Sequence, residues 1–382
     1  LAILHDLSPK RVIDKVKVDE ADWTTPRFSD CPALIVYTSG STGRPKGAVF
    51  SHKALNFAVR LWGEAVMGLN FEDVVLGVLP LAHNYGMYSS LLAPLLFGAT
   101  VVLVERFTPE GVFEAIKRHR VTVLPGVATM FRRLLSSPEC TSADLSSLRI
   151  AVCGAAPCPW ELLKEWRARA GTRILRGYGA TEVPRPISYS HDDEVEFQEA
   201  IGRPLPGVQI RVADEGGQSL SQGEIGELWI KCPGATGGYL DAPAETREVL
   251  VDGWFKTGDL GSISREGFVQ IVGRKRERIL RGGFSVFPQE VEAVLLSHPA
   301  VAEAAVGGMP SPDLYEEVAA FVTLKPLAET TAEELIAHCK EHLAHFKFPR
   351  RVTIVDELPK GPMGKILKAE LIREHLGASL AS

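Results

Sequence analysis

Between residues 74 and 177, short apolar runs rich in β-branched residues alternate with amphipathic segments, and no other feature of the chain restricts its fold as strongly. Val74–Leu79, Thr100–Val104, Val121–Leu124, Leu148–Cys153 and Arg173–Arg176 have the length and composition of strands. Helical spacing over Pro109–His119, Val127–Leu135 and Trp160–Ala170 lies between them. Strands joined through helices run parallel with helices on the sheet faces, and ligands bind beyond the carboxyl ends of such strands. From 200 to 272 the pattern changes to Gly207–Val212, Gly226–Lys231 and Gly267–Val272 with glycine-rich turns, which predicts a small β subdomain. A compact α+β tail is expected after that. It comprises helix Pro288–Ser297, strands Val301–Val306 and Val318–Leu324, helix Thr331–Leu343 with a Thr331/Glu334 capping box, and strand Arg351–Val355. The expected architecture is a large α/β unit over 1–275 followed by a small α+β unit over 276–382.

Ahead of this alternation, Thr38-Ser39-Gly40-Ser41-Thr42-Gly43-Arg44-Pro45-Lys46-Gly47 gathers glycines, hydroxyls and one lysine. Glycine lets backbone N–H groups crowd around an anion, hydroxyls add donors, and Lys46 adds a mobile positive charge. The run reads as a polyphosphate loop. Its spacing is not that of G-x-x-x-x-G-K-[ST], because Gly47 stands where a hydroxyl is needed after the lysine. Ala33–Tyr37 and Ala48–Phe50 look like strands on either side. A helix is expected to start near Ser51, with Ala54, Leu55, Ala58, Val59 and Trp62 on one face.

Five further motifs fall in loops or turns. Pro80-Leu81-Ala82-His83-Asn84-Tyr85-Gly86 and Cys153-Gly154-Ala155-Ala156-Pro157 each follow a predicted strand. Gly177-Tyr178-Gly179-Ala180-Thr181-Glu182 carries concrete chemistry: a tyrosine face for a purine, a Thr181 hydroxyl for a phosphate oxygen, and Glu182 as a hard oxygen ligand for Mg²⁺. In Gly253-Trp254-Phe255-Lys256-Thr257-Gly258-Asp259-Leu260, the Asp259 carboxylate could accept both hydroxyls of a ribose. Near the end, Leu358-Pro359-Lys360-Gly361-Pro362-Met363-Gly364-Lys365-Ile366 pairs two lysines with a glycine turn.

In this order, these motifs resemble those of the adenylate-forming superfamily, which contains acyl-CoA and aryl-CoA synthetases, luciferases and peptide-synthetase adenylation domains. The resemblance implies two steps: a carboxylate and ATP give acyl-AMP and pyrophosphate, and coenzyme A then displaces AMP. It implies that Thr38, Ser39, Gly40, Ser41, Thr42, Gly43 and Lys46 hold phosphates, with Thr42 and Glu182 on Mg²⁺. Gly154, Ala155 and Ala156 approach adenine and acyl group, and Gly177, Tyr178, Gly179, Ala180 and Thr181 complete the nucleotide site. Asp259 and Arg274 take the ribose. Lys365 bridges the carboxylate and the α-phosphate. His83, Asn84 and Ala180 line the acyl pocket. Arg185 is a candidate there for a polar or second acidic group, with a solvated arginine before Pro186 as the alternative. Arg276 stands at the hinge, where relatives usually have Lys or Asp. The run carrying Gly282, Gly283 and Phe284 matches the coenzyme A face, with Ser285 and Phe287 departing from the usual Asn and Tyr. Medium- or long-chain fatty acids are the expected substrates, with aromatic or dicarboxylic acids, a carrier-protein acceptor, or nucleotide binding without catalysis as alternatives.

The bulk composition agrees with such an enzyme. A formal net charge of −5 over 382 residues argues against nucleic acid as the partner. The six cysteines show no Cys-x-x-Cys pair and read as reduced thiols of a cytoplasmic protein. No apolar run reaches the length of a membrane span. Only 37 residues precede Thr38, where the family has a sizeable subdomain, so the sequence reads as a fragment, and otherwise an apolar face or a partner chain is expected in its place. The oligomeric state is left open, a homodimer included.

Overall fold

The computed structural model describes residues 29–38, 45–141, 143–311, 313–360 and 366–376. Its centre is a five-stranded parallel sheet in the order Thr100–Leu103, Val74–Gly77, Val123–Gly126, Ile150–Cys153, Ile174–Leu175. The strand order reverses direction between Val74–Gly77 and Val123–Gly126, which opens a crevice at their carboxyl ends. The expected α/β class is therefore the observed one. The strands of this sheet differ from their expected bounds by a residue or two, and the one expected at Val121–Leu124 is displaced whole, to Val123–Gly126. The Val121 N–H still bonds Ile116 O, so that residue completes the preceding helix before the strand begins.

The helices start and stop where the sequence supplies caps. Thr108 accepts a bond from Gly111 N at 3.1 Å to open Pro109–His119, and Gly171, at φ 69°, closes Trp160–Ala170. Ser51 caps His52–Arg60 through Ala54 N at 3.2 Å. That helix continues as a π-helical turn over Leu61–Val66, which lays Trp62 against Tyr85 with ring centroids 5.4 Å apart.

Pro32–Thr38 and Lys46–Ser51 form an antiparallel hairpin, and Gly238–Tyr239 adds a third strand against the second. Lys46 pairs with Thr38 and so belongs to the strand rather than the loop. Residues 39–44, and with them Ser39 through Gly43, lie outside the described residues. The predicted β subdomain is an antiparallel sheet containing Gln209–Ala213, Gly226–Lys231, Trp254–Ile263 and Val269–Arg274.

Beyond a single 3₁₀ turn at Lys275–Glu277, the chain builds a further sheet with its own core of Ile279, Val291, Leu295, Val306, Val318 and Leu335. The Thr331/Glu334 capping box is present. Among the described residues no helix is long and apolar enough to cross a membrane.

Candidate active site

Sheet register builds the first cluster. Asp259 lies directly opposite Arg274 on neighbouring antiparallel strands, and Arg274 Nε donates to Asp259 Oδ1 at 3.0 Å. The Tyr178 hydroxyl donates to Asp259 Oδ2. Burial first, and the Asp259 charge second, push the Tyr178 hydroxyl well above its ordinary value, so it stays a donor. Asp259 is only 6% exposed, with both carboxylate oxygens oriented. Each oxygen keeps a lone pair for a further donor, the geometry a diol needs.

A second cluster joins Lys46, Tyr239 and Glu182. The Tyr239 hydroxyl donates to Glu182 Oε1 at 2.6 Å, and Lys46 Nζ lies 5.3 Å from the centroid of the same ring. Burial, then the hydrogen bond to Glu182, raises the Tyr239 hydroxyl far above its usual range. The Glu182 carbonyl accepts Thr236 N at 2.8 Å, so the glutamate is held through both backbone and side chain by one short segment. Its other carboxylate oxygen has no hydrogen bond among the described residues. Thr181, beside it, is half-buried.

Past the Val74–Gly77 strand, Asn84 meets Ala180, and His83 stands beside Asn84 in the chain. Tyr85 N donates to His83 Nδ1 at 3.1 Å, which leaves the neutral ring with its proton on Nε2. Burial lowers the His83 pKa, which favours that neutral form. Asn84 Nδ2 reaches Ala180 O at 3.4 Å. Ala155 takes a left-handed φ of 66° in the small-residue turn between Gly154 and Ala156.

Arg185 is not the solvated arginine of the sequence reading. It is 4% exposed, and its nitrogens donate to Ser188 Oγ at 2.9 Å, Cys153 O at 3.0 Å and Leu175 O at 3.0 Å. Its guanidinium carbon lies 4.8 Å from the Trp62 ring centroid. A Cβ on Gly154 would meet Tyr85 Cε1 at 3.2 Å and Arg185 Nη1 at 3.3 Å, and one on Gly177 would meet Arg185 Cζ at 2.7 Å. These glycines therefore make room for a buried arginine. A Cβ on Gly179 would come within 2.4 Å of Arg185 N.

In the tail, Gly282 (φ 54°) and Gly283 (φ 85°) form the tight turn between Ile279–Arg281 and Phe284–Val286. Phe284 is 56% exposed and stacks on Phe346 with centroids 4.6 Å apart. Arg276 is exposed within the 3₁₀ turn. Lys365 lies outside the described residues; on either side of them, Lys360 and Ile366 pair in an antiparallel bridge.

The family model described as AMP-binding enzyme matches residues 3–240, and that of the AMP-binding enzyme C-terminal domain matches 290–365. The chain belongs to the AMP-binding enzyme family. A long-chain-fatty-acid–CoA ligase from Yersinia pestis is 36% identical over 347 residues, which are 90% of this chain and 62% of that protein. The chain thus spans less than two thirds of that relative's length. A feruloyl-CoA synthase from Amycolatopsis is 36% identical over 362 residues, covering 94% of this chain and 73% of the relative. ATP-bound MatB from Rhodopseudomonas palustris superposes with a TM-score of 0.86 at 35% identity, over 92% of this chain and 69% of that structure.

Within this AMP-binding framework, two side chains escaped the sequence reading. Tyr239 lies 57 residues from the glutamate it bonds, and the only local signal is the Gly237-Gly238 pair before an aromatic residue. Tyr85 sits inside a motif already singled out. Its hydroxyl lies 3.0 Å from Gly126 O and 2.8 Å from Val152 O, so it ties together two strand ends at the crevice.

Proposed function

We propose that this protein is an ATP-dependent carboxylic acid–CoA ligase that works through an acyl-adenylate. The observation that carries the reading is the gathering of Lys46, Tyr239 and Glu182 from three separate segments into one cluster. A carboxylate must approach a triphosphate, so the site has to neutralise charge before any bond can form. A carboxylate oxygen attacks the α-phosphorus as the bond to pyrophosphate breaks. The thiol sulfur of coenzyme A then bonds to the acyl carbon, the bond from that carbon to the bridging oxygen breaks so that AMP leaves with that oxygen, and the thiol proton passes to solvent.

Asp259, Arg274 and Tyr178 are suited to hold the ribose, and Lys46 to meet the phosphates. Among the described residues no cluster of three or more His, Cys, Asp or Glu could hold a metal alone. Magnesium needs only one or two carboxylates when phosphates and water supply the other ligands, and Glu182, with one oxygen oriented and the other available, fits that role. Magnesium would supply charge neutralisation there. Lys365 is assigned to the reacting carboxylate, Arg276 to the pivot between units 1–275 and 276–382, and Gly282, Gly283 and Phe284 to the coenzyme A path.

For the acid, one observation favours a second reading. Tyr85 and Arg185 pack against Gly154, which suits an aromatic or other compact acid there better than an extended fatty chain.

Mass spectrometry of products from ATP, Mg²⁺, coenzyme A and mixed fatty, aromatic and dicarboxylic acids tests the proposal. An acyl-CoA product establishes reaction and acid class, whereas acyl-AMP alone points to a carrier protein. ATP binding with no acid-dependent pyrophosphate would refute the ligase reading. Lys365→Ala should suppress acyl-AMP formation far more than thioester formation from supplied acyl-AMP, and equal loss in both would remove its assigned role.

A further inference from the structure

Lys46 and Glu182 carry opposite charges and border the same tyrosine, yet among the described residues neither enters an ion pair. Lys46 packs against the ring of Tyr239, while Glu182 accepts from its hydroxyl. We propose that Tyr239 is a positioning residue that separates Lys46 from Glu182, keeping the lysine available to nucleotide phosphates and the carboxylate oriented for the accompanying magnesium ion. This rests on the adenylate-forming reading above.

The backbone fixes the spacer from both sides. Tyr239 pairs with Ala48, two residues along the strand from Lys46 and so on the same sheet face, which brings the ring and the lysine together diagonally. Tyr239 N donates to Thr246 Oγ1 at 2.9 Å, and Thr236, three residues earlier, holds the Glu182 carbonyl. Thr236 is itself 5% exposed and bonds Val49 O at 2.7 Å, on the strand that begins at Lys46. The backbone that carries the ring is therefore tied into the small sheet.

Opposite charges beside one half-buried ring attract each other, and here each of them is engaged with that ring instead. A lysine paired with Glu182 would offer less to a phosphate, and a paired glutamate would offer less to a cation. Tyrosine meets both needs at once: its face attracts the ammonium and its hydroxyl orients the carboxylate. Phenylalanine would keep the spacing and lose the orientation. Alanine would lose both.

Calorimetric ATP binding by the full chain, with and without Mg²⁺, separates these contributions. Tyr239→Phe should bind ATP alone within about 2-fold of wild type, while its Mg²⁺-dependent gain in affinity falls roughly 10-fold. Tyr239→Ala should also weaken ATP alone roughly 10-fold, and adding Glu182→Gln to it should restore that loss. A purely structural role would not produce the rescue. Full Mg²⁺-dependent gain in Tyr239→Phe, or a double variant no better than Tyr239→Ala, overturns the proposal. If Tyr239→Ala does not fold by circular dichroism, the Mg²⁺-dependent gain in Tyr239→Phe decides alone. Wild-type protein that binds no ATP under either condition refutes the adenylate-forming reading, and the spacer with it.

Discussion

Tyr178 and Asp259 are 81 residues apart in sequence, lie in different sheets, and share one hydrogen bond, tyrosine hydroxyl to carboxylate. Arg274 holds the other carboxylate oxygen, so Asp259 is oriented from two elements at once.

Tyr178→Phe removes one of these two supports while keeping the ring in its apolar surroundings beside Val183 and Ile187. Loss of a hydrogen bond to a charged group corresponds to an increase in KM for ATP of about 10-fold. Pyrophosphate exchange at varied ATP measures it. An unchanged KM with a lowered melting temperature would give Tyr178 a purely structural role.

Asp73 ties down the start of the central sheet. Burial alone would raise its pKa, but hydrogen bonds from Arg149, at 2.7 and 2.8 Å, and from Thr122, at 2.7 Å, bring it below the ordinary carboxylate value. A depressed folded-state value means that this stabilisation is present above about pH 4, the unfolded carboxyl range, and is lost as pH falls through the folded value. Because Arg149 is 34% exposed, Asp73→Asn should cost about 2 kcal/mol, less than a fully buried pair. Urea denaturation at pH 7 and pH 3 checks both halves: the deficit should appear at pH 7 and shrink at pH 3.

His83 should titrate below about 6.5, the ordinary imidazole value, because burial disfavours its charged form. Its contribution to stability is then complete above that pH and declines as pH falls towards the folded value, since the unfolded chain binds the proton first. Carbon-detected NMR of the imidazole Cε1, assigned with His83→Gln, reads the midpoint. A midpoint at or above 6.5 would contradict the burial argument.

Gly177→Ala should destabilise by about 2 kcal/mol, because the new methyl would lie 2.7 Å from the buried Arg185 guanidinium carbon. Gly216→Ala is the control: its Cβ meets nothing closer than Asp214 Oδ1 at 3.4 Å, and a change within about 0.5 kcal/mol is expected. Equal effects in equilibrium unfolding would mean that the packing around Arg185 yields readily.

Helix boundaries were the most legible part of the fold. Pro109–His119, Trp160–Ala170 and Pro288–Ser297 have the bounds read from the sequence, two of them stopped or started by caps at Thr108 and Gly171. The strand at Val123–Gly126 was less so, because apolar content alone does not say where a helix hands over to a strand. Asp259 and Arg274 were visible as separate motifs, but their pairing is a matter of sheet register. Tyr239 and the burial of Arg185 depend on segments distant in sequence, which periodicity does not report.

The burial of Arg185 has an electrostatic consequence. Its hydrogen-bond partners are two carbonyls and a hydroxyl, and among the described residues it forms no salt bridge. Mobile ions screen exposed charges over about 8 Å in physiological salt but reach a buried one poorly. The small-residue turn at Gly154 is thus backed by a positive charge that the surrounding electrolyte barely dims. Any pull it exerts on an anion resting there should persist in brine strong enough to silence the lysines and arginines on the protein's surface.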